Sequence, residues 1–171
     1  LGAQGKSSMP HPAVLYFMCG KMGAGKSTLA KSLVLANDAA LLSEDALLRD
    51  LYPNEITDLN SYVSFSGRVK QALSAHICSL LRNGVSVVLD FPANTVGQRV
   101  WFRELIHSSG AAHELHFVDV PDDVCKKQLR ERNLTGAGDP LQDEATFDLL
   151  STYFVPPALE ESFTVVRHAR A

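Results

Sequence analysis

Eight consecutive residues near the start of the chain have the types and spacing that bind phosphate groups. Residues 20–27 read Gly-Lys-Met-Gly-Ala-Gly-Lys-Ser and match the pattern G-x-x-x-x-G-K-[ST] without a gap. The glycines let the backbone curl so that successive N–H groups surround an anion. The residues predicted to bind the phosphates are Met22, Gly23, Ala24, Gly25, Lys26, Ser27 and Thr28. The motif therefore predicts that the protein binds a nucleoside triphosphate, or at least a phosphate group.

Two side chains of this motif and one acidic residue further on suggest chemistry beyond binding. The Lys26 amine can reach the β and γ phosphates, and the Ser27 hydroxyl is an oxygen ligand suited to Mg²⁺. Asp90 ends an apolar segment that should form a strand beside the phosphate-binding loop. A carboxylate at that place holds Mg²⁺ directly or through water. The alternative for Asp90 is a structural cap on the loop that follows.

The elements that must position these residues alternate along the chain. Five apolar segments predict strands at 13–19, 39–43, 85–89, 115–120 and 163–167. Between them, apolar spacing and capping residues predict helices at 26–36, 46–51, 61–82, 95–109, 122–133 and 143–154. Strands without a polar face are typical of a parallel sheet covered on both sides. The pattern predicts an α/β fold with a five-stranded parallel sheet in a three-layer α/β/α arrangement.

Length and charge limit the classes of protein that this motif leaves open. The chain has 171 residues and a formal net charge of −3. That length fits one domain, and we expect a flexible arm at 1–12 followed by a single domain at 13–171. The negative charge argues against duplex binding. No segment has the length of a membrane span, and three widely spaced cysteines indicate a reducing cytoplasm. We expect a monomer or a weak dimer.

The motif order distinguishes among proteins that carry such a loop. Guanine-reading and switch motifs of Ras-type GTPases are missing, and the chain has no room for the lid domain of a motor ATPase. The sequence resembles small AAA-type kinases of the P-loop superfamily, similar to phage polynucleotide kinase, chloramphenicol phosphotransferase and the zeta toxins. The likeness covers 14–168 and rests on the phosphate loop and on segments 43–45, 87–90, 129–133 and 147–157, with Asn94 and Arg99.

The resemblance implies roles for further residues. It assigns Asp45 as the base that accepts the proton of the acceptor hydroxyl, although Asp45 or Ser43 could instead cap the helix that follows. Arg132 and, after it, Arg130 would stabilise the transferring phosphoryl group from a lid at about 130–142. Solvated residues at a helix end are the alternative for both. Asn94 and Arg99 are candidates to line the acceptor site, and Arg99 could equally be a solvated helix residue.

Taken together, these expectations describe a nucleoside-kinase-like phosphotransferase. It would use ATP and Mg²⁺ to phosphorylate a hydroxyl of a small molecule in the cytoplasm, without a membrane partner. Lys26, Asp45, Arg132 and Arg130 would be catalytic, and Ser27 and Asp90 would hold the metal. Two alternatives stay open: an ATP-binding regulatory protein without phosphoryl transfer, and a kinase for the 5′-hydroxyl of a nucleic acid.

Overall fold

Five apolar segments form one parallel sheet in the computed structural model, which describes residues 12–136 and 142–170. The strands are β1 (Val14–Cys19), β2 (Ala40–Ser43), β3 (Val87–Pro92), β4 (Ala112–Asp119) and β5 (Val165–Ala169). Their order across the sheet is β2-β3-β1-β4-β5, and each neighbouring pair is parallel. The predicted five-stranded parallel sheet is confirmed, and the phosphate-binding motif begins at the carboxyl end of its central strand.

Helices cover both faces of this sheet. They are α1 (Lys26–Asn37), α2 (Glu44–Leu51), α3 (Leu59–Arg82), α4 (Val96–Ser109), α5 (Asp122–Leu134) and α6 (Glu144–Tyr153), with a short 3-10 helix at Leu159–Glu161. On one face Ala30 of α1 packs against Met18 of β1. On the other face Ile77 of α3 and Phe102 of α4 pack in one cluster with Phe17. This arrangement confirms the three-layer α/β/α fold.

The long helix α3 begins two residues earlier than its predicted start at 61. Asp58 precedes the first turn, and its carboxylate accepts a hydrogen bond from the Ser61 backbone N–H at 2.8 Å. The Ser61 hydroxyl donates in return to the Asp58 carbonyl and accepts from the Asp58 N–H, at 3.0 and 3.1 Å. Ser61 is therefore the third residue of a capping box, which the apolar periodicity alone did not indicate.

Strands β1 and β2 each begin one residue later than predicted, and the other three strands differ by two residues or more at one or both ends. Strand β3 was expected to end at 89, but it continues to Pro92, so that Asp90 lies within the strand. Strand β4 begins at Ala112 rather than at 115. Strand β5 begins at Val165 rather than at 163, because Phe163 packs edge-on against Phe17 with 5.6 Å between the ring centroids. The aromatic residue before β5 thus belongs to the core rather than to the sheet.

Two predicted segments fall partly outside the described residues. These are the arm at 1–12, of which residue 12 is described, and the lid at 130–142, of which 137–141 are not described. Across the described residues, no helix combines the length and the apolarity that crossing a membrane requires.

Candidate active site

The phosphate-binding loop leaves β1 at Gly20 and enters α1 at Lys26, with two glycines in the left-handed backbone region. Gly23 has φ of 78° and Gly25 has φ of 103°, where a side chain strains the backbone. A Cβ atom on Gly23 would also stand 2.5 Å from the Cys125 carbonyl oxygen of α5. Gly23 is therefore required both by its backbone conformation and by the close approach of α5.

The Lys26 ammonium lies at the centre of this loop. It donates hydrogen bonds to the Gly20 carbonyl and, at 3.0 Å, to the Lys21 carbonyl. Burial lowers the pKa of Lys26, and the negative charge of Asp90 acts against that shift. The Ala24 N–H donates to the Lys21 carbonyl at 3.1 Å, so this amide closes a turn and differs from the inward-pointing N–H groups predicted for 22–28.

Asp90 in β3 and Asn94, two residues after β3, lie between strand β2 and the phosphate loop. Asp90 pairs in register with Ser43, the last residue of β2. This pairing places Asp90 between the phosphate loop and the start of α2. The Asn94 side-chain oxygen accepts a hydrogen bond from the Gly20 N–H at 2.9 Å. The first residue of the loop is thereby tied to the segment that follows Asp90.

Helix α2 begins with two adjacent acidic residues, of which the first is buried and the second is exposed. The Ser43 hydroxyl caps the helix by accepting from the Ala46 N–H at 3.4 Å, so the predicted capping role belongs to Ser43. Glu44 is buried, and its carboxylate accepts hydrogen bonds from the Tyr62 and Ser66 hydroxyls of α3, the latter at 2.7 Å. Burial raises the pKa of Glu44, and the two hydroxyls partly offset that shift. Asp45 is exposed.

The role of Glu44 was missed because its partners lie 18 and 22 residues further along the chain. From the sequence alone, an acidic residue next to the predicted catalytic base Asp45 is indistinguishable from the rest of the same polar segment. The signal that could have found it is the serine–tyrosine pair at i and i+4 on α3, which places both hydroxyls on one face of that helix. Glu44 joins α2 to α3 and thus fixes the helix that carries Asp45.

The two predicted lid arginines have different surroundings. The Arg130 guanidinium pairs with the Glu144 carboxylate at 2.6 Å and joins α5 to α6 on the surface. Arg132 lies against the cleft described below, and its Nε atom is buried without a hydrogen-bond partner among the described residues. A guanidinium with an unsatisfied donor beside a phosphate site is suited to binding an anion. Arg130 is engaged elsewhere.

Arg99 corrects one prediction, because it is neither a lining residue of the acceptor site nor a solvated one. Its side chain is fully buried, and it donates to both carboxylate oxygens of Glu161, at 2.8 and 3.0 Å. It also donates to the carbonyls of Ala93 and Val155, each at 2.9 Å. Arg99 thus holds the segment after α6 against the end of β3. No local pattern predicts a partner 62 residues away.

These elements enclose one cleft of about 900 Å³ above the carboxyl ends of the strands. Parallel α/β sheets bind their ligands at this edge. Of the predicted site residues, Ala24, Arg99 and Arg130 do not line the cleft, whereas the others do. Those lining it are Met22, Gly23, Gly25, Lys26, Ser27, Thr28, Asp45, Asp90 and Arg132, together with Asn94. The cleft brings phosphate-binding, acidic and basic groups together.

Two oxygen-bearing side chains at one end of this cleft are suitable ligands for Mg²⁺. The Ser27 hydroxyl and the Asp90 carboxylate both line it, and Mg²⁺ prefers such hard oxygen ligands, with phosphates and water completing its shell. Across the described residues, no group of three or more His, Cys, Asp and Glu side chains could hold a metal alone.

The sequence matches the family model AAA_33, described as an AAA domain, over residues 15–157. The chain belongs to the AAA_33 family. This match confirms the resemblance to small P-loop kinases, and no curated protein sequence is significantly similar to the chain.

Solved structures of kinases share this AAA_33 fold. A candidate kinase from Chloroflexus aurantiacus is 17% identical, with a TM-score of 0.74 over 92% of this chain and 88% of that one. The APS kinase CysC of Mycobacterium tuberculosis, solved with AMPPNP and APS, is 17% identical, with a TM-score of 0.60 over 95% and 92%. A gluconokinase from Sinorhizobium meliloti is 17% identical, with a TM-score of 0.58 over 94% and 85%. The likeness concerns the fold.

Proposed function

We propose that this AAA_33 protein is an ATP-dependent kinase that transfers the γ-phosphoryl group to a hydroxyl of a small molecule. The observation that carries the proposal is the shared cleft, in which Lys26 and Ser27 lie at one end and the exposed carboxylate of Asp45 faces the same space. Lys26 and Ser27 are suited to binding the nucleotide phosphates, and a carboxylate such as that of Asp45 is needed to take the proton of an alcohol during phosphoryl transfer.

The phosphate side of the reaction is assigned to the loop and to Arg132. Entry of the nucleotide phosphates replaces the Gly20 and Lys21 carbonyls as partners of the Lys26 ammonium. Arg132, whose Nε atom has no hydrogen-bond partner among the described residues, supplies positive charge for the phosphoryl oxygens. When bound, Mg²⁺ neutralises phosphate charge, and Ser27 and Asp90 are the residues that would hold it.

The acceptor side of the reaction is assigned to Asp45. Its carboxylate orients the acceptor hydroxyl and takes its proton while the hydroxyl oxygen attacks the γ-phosphorus of ATP. A new oxygen–phosphorus bond forms, the bond to the β,γ-bridging oxygen breaks, and ADP leaves. The proton on Asp45 then passes to solvent. Glu44 keeps α2 in place for this step through its hydrogen bonds to α3.

Replacing Asp45 by Asn tests the assignment. We expect D45N to bind ATP as the wild type does, because the phosphate loop is untouched, and to lose acceptor-dependent ADP release by about 10²–10⁴-fold. Asp50→Asn is the matched control, since Asp50 is also on α2, is 73% exposed and does not line the cleft. Unchanged turnover by D45N would contradict the assignment.

The same assay separates the proposed kinase from its rivals. ADP release that depends on a small-molecule alcohol supports the kinase. ATP binding without any acceptor-dependent turnover would favour the regulatory protein, and turnover with 5′-hydroxyl oligonucleotides alone would favour the nucleic-acid kinase. We further propose that 13–171 is one domain, with a lid at about 130–142. A cytoplasmic location fits the three buried free thiols at Cys19, Cys78 and Cys125.

A further inference from the structure

The half of the cleft beyond Asp45 has a wall of apolar and neutral polar side chains, with Glu44 and Asp45 as its acids and Arg49 as its base. We call it the acceptor half and define it by the lining residues of α2, of 52–56, of the start of α3, of 92–98 and of the last turns of α6. Leu48, Tyr52, Ile56 and Leu59 contribute to one side of it. Tyr52 is held in place by Phe65, with 4.2 Å between the ring centroids. This side presents a preformed apolar surface.

The last turns of α6 form the opposite side of the acceptor half. The Val155 N–H donates to the Asn94 carbonyl at 2.9 Å, which brings the end of α6 to the segment that follows Asp90. Leu150 and Tyr153 line the cleft there and are 39% and 61% exposed. When a ligand covers apolar side chains in a cleft, water is excluded from their surface and the complex is stabilised. The acceptor half therefore fits a ligand with an apolar body.

The charges of the acceptor half disfavour an anionic ligand. Among the described residues that line it, Arg49 is the one cation, and its side chain is 72% exposed and lies 3.5 Å from the Asp50 carboxylate. Recognition of a phosphate, sulfate or carboxylate normally uses convergent Arg or Lys side chains. Lys26 and Arg132 belong to the phosphate loop and the predicted lid. Lys21 lies beside the end of α6, with its ammonium 5.5 Å from the Phe154 ring centroid, but it pairs with the Asp122 carboxylate at 2.7 Å.

Neutral donors complete the acceptor half. The side-chain oxygens of Asn94 and Gln98 accept hydrogen bonds from the Gly20 and Asn94 N–H groups, at 2.9 and 2.8 Å. The amide nitrogens of both side chains are therefore the atoms that can donate to a ligand. Uncharged acceptor atoms, such as carbonyl or ether oxygens, suit these donors.

From this wall, we infer that the acceptor is an uncharged alcohol built on an aromatic or other apolar ring, an inference that rests on the proposed kinase function. The ring lies between the α2 side and the end of α6, and its hydroxyl meets Asp45. Phosphoryl transfer then follows the step given above, with ADP and the phosphate monoester as products. An anionic sugar or a nucleotide does not match the described charges.

Two neighbouring leucines of α6 provide the test. Leu150 lines the cleft, whereas Leu149 does not, and their exposed fractions are similar at 39% and 45%. Wild type, Leu150→Arg and Leu149→Arg are compared with 2-phenylethanol, gluconate and adenosine 5′-phosphosulfate in an ADP-release assay. Binding of 2-phenylethanol is measured separately by ligand-observed NMR.

We expect the wild type to bind and phosphorylate 2-phenylethanol in preference to both anions. L150R should lower that kcat/KM about tenfold, the effect of losing one apolar contact and adding a charge, whereas L149R should match the wild type. Preference of the wild type for either anion, or equal effects of both variants, would overturn the inference. If 2-phenylethanol binds in an L150R-sensitive way but no alcohol is phosphorylated, the ligand preference stands and the kinase proposal is wrong.

Discussion

Removing the buried guanidinium of Arg99 should destabilise the protein severely. Arg99 is fully buried, and Glu161, its carboxylate partner, has a side chain that is 11% exposed. Arg99→Met would leave this carboxylate without its cation and two carbonyls, of Ala93 and Val155, without their donor. Breaking a buried pair from one side costs about 3–5 kcal/mol. At about 2–4 °C per kcal/mol for a chain of this size, Tm should fall by roughly 6–20 °C.

Thermal and urea unfolding of R99M measure this loss, with Arg103→Met as the control. Arg103 lies one turn further along α4 and donates to the Glu161 backbone carbonyl at 2.8 Å, so that R103M should cost about 1 kcal/mol. The double variant Arg99→Met, Glu161→Leu should recover part of the loss, because it removes the stranded carboxylate. Equal melting of R99M and R103M would refute the reasoning.

The same pair predicts a pH dependence of stability. Burial alone would raise the pKa of Glu161, but hydrogen bonds from Arg99 and from the Ala158 N–H lower it more, so that its pKa lies below the ordinary value. The carboxylate therefore stabilises the fold above the unfolded pKa of about 4.3, and this contribution is lost as the pH falls through the lower folded value. Measured as Tm against pH, the loss of stability on the acid side should begin at a higher pH in R99M than in the wild type, because Glu161 no longer has the cation that lowers its pKa.

Four further substitutions probe the site and its surroundings. Gly23→Ala should abolish ATP binding in a fluorescent-nucleotide titration, because its methyl group would collide with a backbone carbonyl of α5; normal affinity would contradict the close approach. Arg132→Ala should lower kcat by about 10³-fold or more, whereas Arg130→Ala, which breaks a surface ion pair, should change stability by less than about 1 kcal/mol and leave kcat near that of the wild type. Glu44→Gln offers the α3 hydroxyls one oxygen instead of two and should cost about 1–2 kcal/mol in urea unfolding.

The parts of this protein that follow local rules could be predicted from the sequence. The central strands β1 and β3 are largely apolar on both faces, and the glycine spacing of the phosphate loop specifies its backbone, so the fold and one end of the cleft could be predicted. The buried partners of Arg99 and Glu44 could not be predicted, since a charged residue reads as exposed until its distant partner is known. The start of α3 was predicted two residues too late because a capping box has no apolar periodicity.

The central position of β1 has a consequence for how the two halves of the cleft can change. Its residues from Leu15 to Cys19 are buried between two neighbouring strands, so their amide protons should exchange with solvent only when the whole domain unfolds. The nucleotide end is built on this most protected segment. The acceptor half rests on the eight-residue helix α2 and on the end of α6, at the periphery. Substitutions there can alter which acceptor the proposed kinase binds, while the segment that carries the phosphate loop keeps its protection.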